Sequence, residues 1–284
     1  MDSTEDSKHS GVDSFPIVGV GASAGGLTPT RELLSELGEA PGLAVVVIHH
    51  LDPSHESNLV SVLAHSTGLP VAAAVDQVRV EPNRVYVLPP GAALSISHGV
   101  LQLSPRLHDA GLHLPINHFF EALAEDCEGR AVGVVLSGSG YDGAAGVKAI
   151  KSEGGITLAQ DGSAQFASMP ESAIATGCVD FIQSSSGIAR QLRRLAAHAP
   201  VLQVRATTTT DDREYAQVLA LMRRSSGVDF AGYKQSTLKR RLARRLVFHD
   251  VPDLAAYLEL LKSDAAEVER LCEDVLIHVT SFFR

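Results

Sequence analysis

The chain has 284 residues, 45% of them hydrophobic, and a formal net charge of −9 at pH 7. That length suits one α/β domain plus a smaller one. The three cysteines, Cys127, Cys178 and Cys272, are widely spaced with no C-x-x-C pair; this argues against a disulfide framework or a zinc site and for a reducing cytosol.

The N-terminal stretch 1–14, MDSTEDSKHSGVDS, is polar and acidic. It reads as a disordered lead-in, not a signal peptide. From Phe15 to about Leu195, apolar β-branched runs alternate with helical patterns. Strands are predicted at Pro16–Val20, Leu43–Ile48, Val71–Val75, Val85–Leu88, Ala131–Leu136, Ile156–Ala159 and Val179–Ile182. Helices are predicted at Gly26–Leu37, Ser57–Ser66, Ile116–Cys127, Ala144–Ser152, Ser172–Thr176 and Ser186–Ala197. Strand–helix alternation with continuous apolar strands predicts an α/β fold with a doubly wound, mainly parallel sheet over 15–197. Leu94–Ser97 and Val100–Leu103 flank His98-Gly99 and predict a β-hairpin. The pattern stops in a linker, 198–211. Beyond it, 212–284 predicts a small all-α domain with helices at Arg213–Arg224, Tyr233–Phe248, Leu254–Lys262 and Ala265–His278. No apolar run approaches the roughly 18 residues of a membrane span, so a cytoplasmic protein without membrane insertion is expected.

Three strand ends carry chemistry. The first strand runs into Gly19-Val-Gly-Ala-Ser-Ala-Gly-Gly26. Such a turn suits a phosphate cradle at a helix N-terminus, with Asp52 available for a ribose, and equally an exposed nucleophile, Ser23. A plain tight turn satisfies it as well, and on this segment alone all three readings stay open. The second strand ends in His49-His50-Leu51-Asp52. A histidine there can act as general base for a serine on a neighbouring strand end. The cluster His49, His50, Asp52 and His55 also invites a metal. Adjacent histidines on a strand point opposite ways, however, which disfavours shared ligation, and no metal is expected. The third strand ends in Ser137-Gly-Ser-Gly-Tyr-Asp142. Asp142 alone reads as a helix cap. Together, Ser23, His50 and Asp142 are the nucleophile, base and orienting carboxylate of a triad on one sheet edge. Ala24, Gly25, Ser139 and Gly140 are expected to support an oxyanion hole or its loops.

The stretches VGVGASAGG, VVVIHHLDPSHES, VLPPG, GVVLSGSGYDGAAGVKAIKSEGG, TLAQD and SMPESAIATG resemble the catalytic domain of chemotaxis-type protein-glutamate methylesterases (CheB-type). The resemblance covers nearly all of Phe15 to Leu195. It implies hydrolysis of glutamate γ-methyl esters on receptor helices, with glutamine deamidation in some members. It places nucleophile, base and acid on Ser23, His50 and Asp142. Ala24 stands where the family commonly has Thr, His49 where it has Gln, Ser137 and Ser139 where it has Thr and Met, and Asn117 where it has Asp. These positions flank the triad and bear on substrate preference and rate. No receiver domain precedes the hydrolase, so the family's usual regulation by phosphorylation is not expected. The rival readings are a nucleotide-binding module using Gly19–Gly26 and an inactive, triad-bearing scaffold.

The tail, SSGVDFAGYKQSTLKRRLARRL, AAYLELL and VLIHVTSFFR, resembles the N-terminal helical domain of receptor methyltransferases (CheR-type). That family's S-adenosylmethionine-binding domain would begin at about Thr280–Arg284. Neither this cofactor nor methyltransferase activity is therefore expected in this chain, and the hydrolase needs no cofactor. Residues 1–210 carry 12 Lys and Arg against 21 Asp and Glu, whereas 211–284 carry 12 against 12. Six of those cations fall in 234–249 with no acid among them. Leu238, Leu242 and Leu246 form a buried stripe at helical spacing. Arg240, Arg241, Arg244 and Arg245 are then expected to face outward and dock the acidic helices of a methyl-accepting receptor. Nucleic acid is disfavoured, since 234–247 lacks stacking aromatics apart from its flanks.

Overall fold

A computed structural model describes residues 15–50, 58–105, 114–197, 209–233 and 235–276. The lead-in, most of the linker, Asp52, His55 and Thr280–Arg284 lie outside the described residues. The apolar runs form strands β1 (Ile17–Ala22), β2 (Ala44–His49), β3 (Val71–Ala73), β5 (Val85–Val87), β8 (Ala131–Val135), β9 (Ile156–Gln160) and β10 (Phe181–Gln183). They pair in the order β10-β9-β8-β1-β2-β5-β3, with every described pair parallel. The strand order reverses beside β1, so a topological switch point opens at the carboxyl ends of β1 and β8.

Helices α1 (Leu27–Leu37), α2 (Leu59–Ala64), α3 (Pro115–Cys127), α4 (Ala144–Ser152), α5 (Ser168–Ile174) and α6 (Ser185–Ala197) cover both faces. Val18 and Val20 face Leu33, Leu34 and Leu192 on one side. Ile17 faces Phe119, Phe120 and Val147 on the other. On that second face a Cβ at Gly19 would lie 2.7 Å from the Phe120 ring, and one at Gly21 2.5 Å from Ile116. The bare backbone of β1 therefore lets α3 approach closely, and this sets where the amino end of α3 falls.

The predicted elements agree with the observed ones to within a few residues, with two differences. The helix expected at Ser172–Thr176 begins at Ser168, because Pro170 lies in its first turn, where the missing N–H breaks no helical bond. The hairpin is β6 (Ala92–Ser97) and β7 (Val100–Pro105), and a two-residue strand, β4 (Val78–Arg79), joins it as a separate antiparallel sheet. His98 and Gly99 have φ of 53° and 73°, as a two-residue hairpin turn with the strands' own twist requires.

The tail folds as α7 (Thr209–Ser226), α8 (Gln235–Phe248), α9 (Leu254–Ser263) and α10 (Ala265–Leu276). Asp253 caps α9 by accepting from Ala256 N at 2.8 Å. Leu238, Leu242 and Leu246 are buried against Val218, Met222, Tyr257 and Leu271.

The expectation of an outward arginine face is corrected. Arg241 and Arg244 are fully buried and Arg245 nearly so. Arg244 pairs with Asp180, Arg241 donates to the Ser152 carbonyl at 2.7 Å, and Arg240 donates to Glu128 at 2.6 Å. Lys151 bridges Asp180 at 2.5 Å and Asp274 at 3.5 Å. Val247 joins the core of the sheet's α1/α6 face, and Phe248 meets Phe181 edge-on at 5.0 Å. The counter-charges missing from the helix's own segment come from residues distant in sequence. Burial, followed by the neighbouring charge of Arg244, lowers the Arg241 pKa to about 10. Arg245 turns the other way, into the helical unit, where Glu267 accepts from it and from Tyr257 Oη at 2.7 Å.

Two outcomes follow from these buried ions. Asp180→Ala leaves Lys151 and Arg244 only the more distant Asp274, at 3.5 and 4.0 Å, and should cost about 3–5 kcal/mol of unfolding free energy; a loss below about 1 kcal/mol in urea titration would show that Asp274 or water compensates them. For Glu267, burial raises the pKa, but hydrogen bonds from Arg245 and Tyr257 outweigh it and hold the carboxyl at about 2. Its folded pKa lies below the unfolded one, so its stabilisation, on the order of 3 kcal/mol, is present above the unfolded value of about 4.3 and fades as pH falls towards 2. The stability gap between wild type and Glu267→Gln should therefore be full at pH 6 and shrink below pH 4, read as denaturation midpoints across pH.

Candidate active site

Each predicted triad residue leaves the carboxyl end of a parallel strand. Ser23 directly follows β1 and is fixed by its N–H donating to Ser137 O at 3.0 Å. Its carbonyl accepts from Gly26 N at 2.9 Å, closing the turn into α1. Gly25 has φ of 68°, and a Cβ there would meet Gln165 and Phe166 at 2.8 Å. His50 follows β2 and donates its own N–H to Ala22 O at 3.2 Å. Asp142 lies in the loop between β8 and α4.

The three side chains meet. Ser23 Oγ is 3.2 Å from His50 Nδ1, and His50 Nε2 is 2.8 Å from Asp142 Oδ2. The ring thus presents Nδ1 to the serine and Nε2 to the carboxylate, the reverse of the serine-protease template. With Nε2 protonated and donating to Asp142, Nδ1 carries the lone pair that faces the hydroxyl.

Asp142 is 1% exposed. It accepts from Ile116 N at 3.0 Å, Asn117 N at 2.9 Å and Gly143 N at 2.9 Å. The cap reading of this residue is thereby revised. Asp142 holds the amino end of α3, whose N–H groups and dipole favour an anion, while α4 begins on Gly143, with no side-chain cap bond from that residue. Asn117 Oδ1 accepts from Gly143 N and Gly146 N, each at 2.9 Å, and so caps α4 in return. Pro115 at the start of α3 is the sequence signal for this helix end, although nothing local links it to Asp142.

The expected oxyanion positions divide. Among the described residues, the N–H groups of Ala24, Gly25 and Ser139 have no protein acceptor, and Ala24 and Ser139 are exposed. Gly140 N instead donates to Ser168 Oγ at 3.1 Å, which ties its loop to α5. Arg240, Arg241, Arg244 and Arg245 are not brought to this edge; the contacts of the first three precede β8, β9 and β10, at the amino end of the sheet. Burial lowers the His49 pKa, and its Nδ1 lies 3.3 Å from His50 O. Among the described residues, no three His, Cys, Asp or Glu side chains gather as metal ligands. The glycines of the first turn are taken up by protein contacts: a Cβ at Gly26 would lie 2.7 Å from Ala22 Cβ and 2.9 Å from Ser137 O.

Residues 18–192 match the CheB methylesterase family. The chain belongs to that family. Residues 213–276 match the CheR methyltransferase all-alpha domain. The crystal structure of the Thermotoga maritima CheB methylesterase catalytic domain superposes with a TM-score of 0.59 at 26% identity, covering 64% of this chain and 98% of that one. A protein-glutamate methylesterase/protein-glutamine glutaminase of Carboxydothermus hydrogenoformans is 32% identical over 64% of this chain and 56% of its own length. An uncharacterized 104.1 kDa protein of Rhodobacter capsulatus is 36% identical over 80% of this chain and 26% of its own length. The chain thus spans about half or less of the length of these last two relatives. No helix among the described residues is long and apolar enough to cross a membrane.

Within this methylesterase fold, Asn117 holds two buried N–H groups of α4. Asn117→Ala should lower stability by about 1–3 kcal/mol, since Gly146 N is left without an acceptor while Gly143 N keeps Asp142. Asn117→Asp keeps the acceptors and should recover most of that loss in the same denaturation assay.

Proposed function

We propose that this chain hydrolyses glutamate γ-methyl esters on methyl-accepting, receptor-type proteins, with Ser23, His50 and Asp142 as catalytic residues. The observation that carries the reading is the continuous hydrogen-bonded series from Ser23 Oγ through His50 to Asp142, 3.2 and 2.8 Å long, at the switch-point edge. Family membership and relatives named as methylesterases support the ester class.

His50 Nδ1 takes the proton from Ser23 Oγ as the oxygen attacks the γ-carbonyl carbon. Asp142 holds Nε2–H and stabilises the imidazolium that forms. The acceptor-free N–H groups of Ala24, Gly25 and Ser139 would receive the oxyanion. Collapse of the tetrahedral intermediate breaks the bond to methoxide, which leaves as methanol with the proton from Nδ1. Water, deprotonated at the same nitrogen, then cleaves the acyl-enzyme to glutamate. The scheme uses protein groups and water, with no cofactor. A glutamine amide offers the same carbonyl geometry and would release ammonia. The relatives' double name favours testing that substrate second.

Methanol release from methylated receptor protein should be abolished in Ser23→Ala and fall by about 10⁴ in Asp142→Asn. Near-wild-type turnover by Ser23→Ala would sink the mechanism.

A further inference from the structure

Among the described residues, five large apolar side chains are left exposed: Leu27, Val75, Tyr141, Phe166 and Ile182. Three of them, Leu27, Tyr141 and Phe166, lie on the segments that leave the carboxyl ends of β1, β8 and β9. Exposed apolar surface gathered at one edge marks a place where something binds.

Phe166 is the best defined of the three. It is 42% exposed, yet its backbone is tied on both sides. Its N–H donates to Ser137 Oγ at 3.0 Å, and its carbonyl accepts from Gly138 N at 2.9 Å. The ring lies against Gly25, where any side chain would collide with it, and Gly138 in turn abuts Ser23 Cβ. The loop is closed further by Met169 N donating to Gly138 O at 3.1 Å. A phenylalanine whose backbone is held this firmly has already lost the main-chain freedom that binding would otherwise cost, and its exposed ring face is available to a ligand.

We infer that Phe166 is a substrate-binding residue that receives an apolar side chain carried one helical turn from the esterified glutamate, with Tyr141 extending the same rim. The ring adjoins the Cβ position of Gly25, two residues from Ser23, so it stands within about 12 Å of the nucleophile's backbone. On a helix, side chains three or four positions apart are about 5–6 Å apart. An ester seated on Ser23 therefore leaves the ring within reach of an extended side chain on the neighbouring turn. An alkyl group gains contact there, whereas a carboxylate loses water and finds no donor in the ring. The substrate class is thus a helix whose methylated glutamate has an alkyl residue, not an acidic one, at the adjacent turn. This inference rests on the esterase reading.

The test uses the full chain with two helical peptides bearing one γ-methyl glutamate, one with Leu and one with Glu four residues on, and p-nitrophenyl acetate as a small ester. Wild type should favour the Leu peptide by roughly tenfold or more, expressed in KM. Phe166→Ala should erase that preference, and Phe166→Leu should restore most of it. The inference is overturned if wild type shows no preference, if Phe166→Ala keeps it, or if Phe166→Ala lowers all three substrates equally, which would assign the ring to the turn's structure. Should Phe166→Ala not fold, inhibition of wild-type p-nitrophenyl acetate turnover by the unesterified peptides decides instead: the Leu peptide must inhibit more strongly. Persistent p-nitrophenyl acetate turnover in Ser23→Ala would refute the esterase reading itself, a result separate from these.

Discussion

The carboxylate of Asp142 is the point on which the carboxyl edge of the sheet is built. A buried carboxylate is expensive unless its lone pairs are filled. Here His50, two N–H groups from the first turn of α3 and Gly143 fill them. The two N–H groups reach Asp142 because α3 lies tightly on β1, and α3 lies there because Gly19 and Gly21 offer Phe120 and Ile116 no side chain to meet. A larger residue at either position would push α3 outward and take donors from the carboxylate. The orientation of His50 thus depends on glycines in the middle of a strand that never touch it.

The other end of the sheet solves a comparable problem with ions. Arg241, Arg244 and Lys151 are largely shut off from water, and Asp180 and Asp274 are the anions among them. Buried pairs add little net stability over an apolar substitute, but removal of one partner leaves a charge with nowhere to go. Hydrophobic contacts beside them, Val247 in the core and Phe248 on Phe181, carry the association. The ions select the angle at which α8 lies, because a displaced helix would leave guanidinium groups without acceptors.

Much of this was legible in the chain. Runs such as Ala44-Val-Val-Val-Ile could only be buried parallel strands, and glycine-rich turns after them put Ser23 and Asp142 at one edge. Periodicity also found the leucine stripe of α8. It could not find the fate of the arginines, because the segment's own charge balance carries no sign of the acids that neutralise Arg240, Arg244 and Arg245, at Glu128, Asp180 and Glu267. Local sequence says that a cation needs a partner and is silent on where the fold will bring one. For the same reason Asp142 read as a cap for the helix that follows it, when it caps one that begins 27 residues earlier. The reversed ring of His50 depends on a side-chain rotation that no pattern encodes.

The two ends of the sheet are separate in what they can do to each other. β8 is five residues long, so the ion cluster and the serine edge lie roughly 17 Å apart along it. The segments that α8 grips lead directly into β8, β9 and β10, and β8 leads on to Ser137 and the Asp142 loop. β8 is buried on both faces and hydrogen-bonded to β1 on one side and β9 on the other. Slipping its register by one residue would turn every apolar side chain to the wrong face. Coupling between distant sites requires an element with two arrangements of similar energy, and a strand pinned in this way has one. The helical unit therefore bears on the carboxyl edge through the stability of the sheet that carries Ser23, His50 and Asp142. The carboxyl edge, with Ser23 partly open and Phe166 beside it, stays free to meet a substrate while the amino edge is closed.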